Sequence, residues 1–244
     1  MVAGPWGWNL PYMFMTFGWK AVTAIAINSY AISIFFKKDL NQLPLLKDSD
    51  DHGKEAADIK RLPFWVSAVH IFFLAFTVLN AHYTAVFMGG FIFFLGFATV
   101  TKEYQEALKI KEALLVAGFL AGLIALGSLQ KWWIQPVISS LTPLPLFFGT
   151  TALTAITDNA ALTFLASQVE NLSALKQYLV VAGALAGGGL TVIANAPNPA
   201  GYSIVNKAFG PDGVNPGKLF MAALGPTAVA VIAFLVPALI WGVN

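Results

Sequence analysis

The sequence contains no cysteine and only three histidines in 244 residues. Disulfide bonds and thiolate metal sites are therefore excluded, and the histidines lack the spacing of metal ligands. The HExxH and GxSxG motifs of hydrolases and the loops that hold nucleotide phosphates are also missing. We therefore expect that the protein is not an enzyme, needs no cofactor and binds no nucleic acid.

Charged residues are scarce as well, at 11% of the chain, against about 25% in an ordinary soluble domain. Hydrophobic residues make up 57%, and the mean hydropathy is +0.71. Apolar runs approach or exceed the ~20 residues that a membrane-spanning helix needs. The composition predicts an all-α, polytopic (multi-pass) protein of the lipid bilayer, which we place in the cell inner (plasma) membrane.

We expect about six spanning helices, together with one re-entrant helical hairpin and one broken helix. The positive-inside rule predicts that the long polar segment 37–62 is a cytoplasmic loop, because most lysines and arginines then share its side. Lys20, near one end of the first span, is expected to snorkel to the interface. The predicted uninterrupted spans are 12–36, 64–79, 84–100, 113–129 and 219–241.

The stretch from Leu144 to Val205 is apolar, yet polar residues interrupt it twice. Hydrocarbon offers no water to freed backbone groups, so such backbone is tolerated only where protein buries it or where it lines a cavity. Two interruptions close together predict a substrate site. The first break is Thr157-Asp158-Asn159, and the second is ANAPNP at 194–199, preceded by Gly187, Gly188 and Gly189.

The first break has two interpretations. A helix from Leu144 to Ile156 would be about 20 Å long, which reaches near the middle of a ~30 Å hydrocarbon layer. The chain could turn back there, which makes 137–168 a re-entrant hairpin. The alternative is one continuous helix over 144–168 that contains a polar residue.

Asp158 is the only acidic residue within an apolar span. A charge there costs at least about 2.5–3.5 kcal/mol on insertion scales, and it marks an ion or proton pathway by default. A carboxylate that holds either a proton or a cation is what coupled exchange requires. The structural alternative is that Asp158 caps the helix that starts at Asn159, and the two roles can coexist.

The second break interrupts a predicted helix over 178–205, because Pro197 and Pro199 lack N–H donors. Unwound carbonyls in broken helices coordinate ions in many secondary transporters. We therefore expect Na⁺ at Asp158, Asn195 and Asn198. The glycines would let another segment approach closely; the alternative is a kinked helix with no binding role. Hydroxyl groups for the same site would come from Thr154, Thr157 and Thr191.

The segments TDNAALTFLASQV, from Thr157, and GGGLTVIANAPNPAGYSIV, from Gly187, resemble those of the putative sodium/proton antiporter family of the ion-transporter superfamily. The segments GPWGWNLPYMF and GGFIFFLGFATVTKEYQEAL extend the resemblance over nearly the whole chain. In that superfamily two inverted repeats each supply a re-entrant hairpin and a broken helix, with the substrate between them. The resemblance therefore favours the hairpin. It implies a tip at Thr157, Asp158 and Asn159, and a broken helix at Asn195, Pro197, Asn198 and Pro199.

Residues 1–135 contain no second polar break, so the chain resembles the C-terminal half of the family and one of its two inverted repeats. The resemblance implies Na⁺/H⁺ antiport, in which Asp158 exchanges the two ions, and a second half-transporter chain or a homodimer as partner. One alternative is transport of an organic anion or oxyanion. The stretch from Leu144 to Val205 has no basic residue other than Lys176, which argues against an anion. Another is a half-length membrane subunit that does not transport.

Overall fold

The structure is a computed structural model that describes residues 2–42, 62–105, 108–210 and 212–242. Within these ranges every regular element is helical, which confirms the all-α prediction. The short helix α3 (Lys37–Gln42) opens the predicted cytoplasmic loop, and most of that loop lies outside the described residues. The chain divides into two compact units, one of residues 1–42 and 115–244 and the other of residues 43–114.

Three helices in the described ranges are long and apolar enough to cross a membrane: Leu10–Phe35, Ala113–Ser140 and Pro216–Trp241. The length and apolar composition of these helices are those expected of a membrane protein. Three further apolar helices are shorter, so the total of about six spans stays a prediction, as does the inverted repeat. The shorter helices are Phe64–Leu79, Thr84–Val100 and Ala174–Gly187.

The first long helix is continuous but not uniform. It starts as α1 (Leu10–Met13), whose first turn is capped by the Asn9 side chain accepting from the Tyr12 N–H at 2.9 Å. A π-helical turn (Phe14–Gly18) follows, and α2 (Trp19–Phe35) completes the helix. The predicted span 12–36 matches this element closely.

The second long helix corrects two predicted boundaries. Helix α6 (Ile110–Gly127) passes through a 3₁₀ turn (Ser128–Gln130) into α7 (Lys131–Ser140). The predicted span ended at 129, and the predicted hairpin began at 137. As helix ends, both positions differ from the structure, because Lys131 ends the apolar run without ending the backbone hydrogen bonding.

The second unit contains α4 (Phe64–Leu79) and α5 (Thr84–Val100), whose bounds match the predicted spans. Phenylalanine rings join the two helices: the centroid of Phe73 lies 5.4 Å from that of Phe94 and 6.0 Å from that of Phe97. Gly90 allows the close approach, since a Cβ there would lie 2.5 Å from the Phe76 ring.

The rest of the first unit, as far as the structure describes it, contains five α-helices. Their bounds are α8 (Pro143–Thr154), α9 (Asn159–Ser167), α10 (Ala174–Gly187), α11 (Asn198–Val205) and α12 (Pro216–Trp241). Helix α10 is central: Tyr178 and Leu179 are fully buried and share a core with Phe147 of α8 and Phe234 of α12. The last helix begins slightly before the predicted start at 219.

The chain reverses direction between α8 and α9. Leu146, near the start of α8, and Ala166, near the end of α9, lie in one buried cluster with Val180. In a continuous helix these two residues would be about 30 Å apart, and residues 155–158 are not helical. The continuous-helix alternative is therefore wrong; whether the hairpin re-enters the membrane stays a prediction.

Polar contacts hold the open end of this hairpin. The side-chain amide nitrogen of Gln135 donates to the Glu170 carbonyl at 3.2 Å, and the side-chain amide oxygen of Gln135 accepts from the Glu170 N–H at 2.8 Å. Lys131 pairs with the Glu170 carboxylate. Through this hydrogen bond and its charge, Lys131 holds the pKa of Glu170 below the usual range of a glutamate. These contacts join α7 to the loop after α9.

Helices α8 and α10 pack with their backbones almost in contact. A Cβ on Gly183 would lie 2.6 Å from the Phe147 carbonyl oxygen, and one on Gly187 would overlap the Thr151 carbonyl. Backbone atoms cannot swing aside as a flexible side chain can. The two glycines, one helical turn apart, therefore set the distance between α8 and α10, as small residues do between membrane helices.

Replacing Gly183 with alanine should lower the free energy of unfolding by about 1–3 kcal/mol, the usual cost of overpacking. Gly149→Ala on α8 is the matched control, because a Cβ there meets no atom within 4 Å. The control should be neutral or slightly stabilising, since alanine favours the helix by up to about 1 kcal/mol. Denaturant unfolding of the purified variants in detergent measures both. Equal destabilisation by the two substitutions would contradict this packing.

Candidate functional site

The first break lies between α8 and α9, and Asp158 starts the second of these helices. Its carboxylate Oδ1 accepts from the Ala160 N–H at 2.7 Å, so Asp158 is the N-cap of α9. This is the structural role considered from the sequence. The side chain is half-buried, and no cationic side chain of the described residues pairs with it. One carboxylate oxygen thus remains available to a ligand.

The second break separates α10 from α11 and folds around Asn198. The Asn198 amide nitrogen donates to the carbonyl oxygens of Gly188, at 2.8 Å, and Thr191, at 2.9 Å. These bonds satisfy carbonyls that the interrupted helix has freed. Because the nitrogen faces the backbone, the amide oxygen of Asn198 is left without a partner among the described residues. Pro197 precedes α11 and Pro199 lies in its first turn, where a missing N–H costs least.

The two breaks are hydrogen-bonded to each other. The Asn159 N–H donates to the Ala194 carbonyl at 3.2 Å, and the Thr191 hydroxyl donates to the Ala155 carbonyl at 2.7 Å. Gly188 lies beside the Asn159 side chain, since a Cβ there would be 3.3 Å from the amide nitrogen. The structure therefore brings together the two polar segments that the sequence singled out.

Thr154 is the one polar side chain near the breaks that is fully buried and lacks a hydrogen bond among the described residues. Its neighbours on α8 behave differently: Thr150 donates to the Leu146 carbonyl at 2.7 Å, and Thr151 to the Phe147 carbonyl at 2.9 Å. A buried hydroxyl without a partner loses about 1–3 kcal/mol of hydrogen bonding. It is therefore a candidate ligand group at the end of α8.

The other predicted residues divide into those at the contact and those away from it. Asn195 is half-buried in the second break, and its side chain has no hydrogen bond among the described residues. Thr157 is exposed, and its hydroxyl donates back to the Leu153 carbonyl at 2.8 Å, so it turns away from the second break. Gly189 meets no atom within 4 Å, so it has no packing role of the kind that Gly187 has.

Sequence reasoning missed Gly183. The signal was present, because Gly183 and Gly187 form a GxxxG pair, the spacing that brings membrane helices close. Within this stretch the sequence analysis assigned close packing to Gly187, Gly188 and Gly189. The missed residue does not contact the breaks, but it sets the α8–α10 spacing that positions them.

Replacing Asn198 with aspartate should destabilise the second break, because an ionised carboxylate cannot donate to the Gly188 and Thr191 carbonyls. The expected loss is about 1–3 kcal/mol in the free energy of unfolding. Asn195→Asp makes the same chemical change where no hydrogen bond is lost, so it should change stability less. Thermal unfolding in Na⁺-free detergent solution measures the difference. A larger loss for Asn195→Asp would contradict the role of Asn198.

Comparison with known proteins adds one match. The sequence profile of the family described as "Putative Na+/H+ antiporter" matches residues 1–237, nearly the whole chain. No curated protein and no solved structure matches the chain.

Proposed function

Because the chain belongs to the putative Na⁺/H⁺ antiporter family, we propose that it exchanges Na⁺ for H⁺ at Asp158. The observation that carries this proposal is the pair of hydrogen bonds between the breaks, from Asn159 to Ala194 and from Thr191 to Ala155. They place an ionisable carboxylate at one side of a junction between two interrupted helices. Such junctions are where secondary transporters bind their ions.

The oxygen atoms at this junction suit a small hard cation. Three of them lack partners among the described residues: one carboxylate oxygen of Asp158, the amide oxygen of Asn198 and the hydroxyl of Thr154. Asn195 supplies a further amide. Within the described residues no cluster of three acidic, histidine or cysteine side chains exists. A single carboxylate with neutral oxygens is a donor set for a monovalent cation rather than for a multiply charged metal.

Exchange follows from the two states of the carboxylate. With Na⁺ bound, Asp158 is ionised and its charge is compensated; without Na⁺, a proton compensates the charge instead. Either form removes the cost of an uncompensated charge in a membrane segment. The empty ionised form is the costly one, and this penalty couples the movement of the two ions.

Alternating access would come from movement of the α8–α9 hairpin, which we propose is re-entrant. An apolar cavity of about 140 Å³ lies along the hairpin, between Ile138 on α7, Leu153 on α8 and Leu162 on α9. The cavity leaves room for a shift of the hairpin against α7. Helix α10, whose glycines contact α8, would move with it.

The assembled transporter would contain a second hairpin and broken helix, supplied by a second chain or by another copy of this one. The inverted repeat of the superfamily motivates this part of the proposal, and we also propose that segment 37–62 is cytoplasmic. Anion transport is the less favoured alternative. Lys176, the one basic residue between Leu144 and Val205, donates to the Ser139 carbonyl at 2.7 Å.

Asp158→Asn should abolish Na⁺-driven proton flux in proteoliposomes of the assembled protein, extracted with whatever chain copurifies. The amide keeps the size of the side chain but cannot exchange a proton. Glu170→Gln is the control, because it makes the same change at an exposed surface pair, which contributes at most about 1 kcal/mol. The control should keep wild-type flux.

Wild-type exchange by Asp158→Asn would contradict the proposal. So would flux of an organic anion or oxyanion that needs no Na⁺ gradient and survives in the variant. Circular dichroism and gel filtration of both variants show that any loss of flux is not a loss of folding.

A further inference from the structure

Lys20 is buried although sequence reasoning expected it to snorkel to the interface. Its side chain is only 6% exposed, and its ammonium donates to the Tyr178 hydroxyl at 2.9 Å. It also lies 4.3 Å from the centroid of the Tyr178 ring and 5.5 Å from that of Trp19. The partner is 158 positions away, so the local sequence could not reveal it. Tyr178 in turn donates to the Phe234 carbonyl at 2.6 Å.

No carboxylate compensates this charge among the described residues. The groups that face it are neutral: Tyr178 from α10 and, beside Tyr178, Tyr12 from α1. Helix α12 carries one charged residue, Lys218, near its opposite end. An ammonium has three donors, and Tyr178 accepts only one hydrogen bond from it. A buried ammonium without an anionic partner is costly, so the surroundings of Lys20 are suited to an anion.

Two cavities border Lys20. They share Trp19, Lys20 and Pro237, and together they form a groove between α2 and α12, which we call the α2–α12 groove. The first, of about 180 Å³, runs toward the end of α12 and is lined by Met15 and Thr16 of the π-helix and by Trp241. The second, of about 380 Å³, is apolar and is lined by Thr23, Ile27, Val229, Ile232 and Val236.

The part of the groove that contains Lys20 lies near the C-terminal end of α12. Pro237 lies four residues before Trp241, the last residue of α12, so the shared part of the groove is about 6 Å from the helix end. Trp19 and Trp241 flank it, as tryptophans do at the membrane interface. Along α12, the groove thus has a cation near one helix end and an apolar channel that continues toward the middle of the helix.

We propose that the α2–α12 groove binds an anionic phospholipid. Its phosphate pairs with Lys20, and one acyl chain lies along Ile27 and Val229. Basic pockets between membrane helices bind acidic headgroups in this way. The π-helical turn, of a kind that occurs frequently at functional sites, directs Thr16 to the same cavity. The site is separate from the two helix breaks, so it does not depend on the transport proposal.

Thermal unfolding of the delipidated protein in detergent tests this proposal. Phosphatidylglycerol should raise the unfolding temperature by about 5 °C more than phosphatidylcholine at the same saturating concentration. Glycerol phosphate, which has the charged headgroup without acyl chains, should not reproduce the effect. Equal stabilisation by the two phospholipids, or equal stabilisation by glycerol phosphate, would overturn the proposal.

Lys20→Met should remove the preference for phosphatidylglycerol, while Lys20→Arg keeps it. Lys218→Gln is the control, because it removes an exposed lysine of the same groove-forming helix, α12, far from the groove. Val229→Trp, which fills the apolar cavity, should weaken lipid binding with Lys20 intact, and it serves if the Lys20 variants do not fold. Native mass spectrometry counts the retained lipids. A preference that survives both Lys20→Met and Val229→Trp would overturn the proposal.

Discussion

Backbone groups freed by a helix break cannot be left unpaired in hydrocarbon, and the central part of this structure follows from that constraint. The break before α9 and the break after α10 satisfy each other. The Asn159 N–H reaches the Ala194 carbonyl, and the Thr191 hydroxyl reaches the Ala155 carbonyl. Each interruption thus pairs backbone groups that the other leaves without a helical partner. Their contact is therefore a structural requirement first, and it creates the candidate ion site as a consequence.

The contact between the breaks depends on how closely α8 and α10 pack. Gly183 and Gly187 remove the side chains that would separate the two helices, so the end of α8 arrives beside the end of α10. Thr154 is buried at this point, and its hydroxyl has no hydrogen-bond partner among the described residues. One region thus contains the close packing of α8 against α10, the hydrogen bonds between the breaks, and oxygen atoms without partners among the described residues. This coincidence of close packing with unsatisfied oxygens supports a binding role over a purely structural kink.

Local signals predicted much of the fold. The bounds of α4 and α5 follow from apolar runs separated by a short polar link, and the two breaks follow from Asp158 and from the prolines around Asn198. Contacts between distant segments could not be predicted from one sequence. Lys20 is buried because its ammonium donates to Tyr178, which lies 158 positions later in the sequence. Thr157 points away from the second break because its hydroxyl donates to the Leu153 carbonyl. Helix α6 continues into α7 because the charge of Lys131 ends the apolar run without ending the helix.

The most direct test of the central claim is the release of protons when Na⁺ binds. Purified protein in weakly buffered detergent solution, with a pH-sensitive dye, would be titrated with NaCl and, as a control for ionic strength, with choline chloride. If Asp158 holds either ion at the junction of the breaks, Na⁺ should release protons, and the number released per Na⁺ bound should approach one as the pH is lowered until the Na⁺-free site is protonated; choline should release none. Na⁺ binding without proton release, or release that persists in Asp158→Asn, would contradict the account.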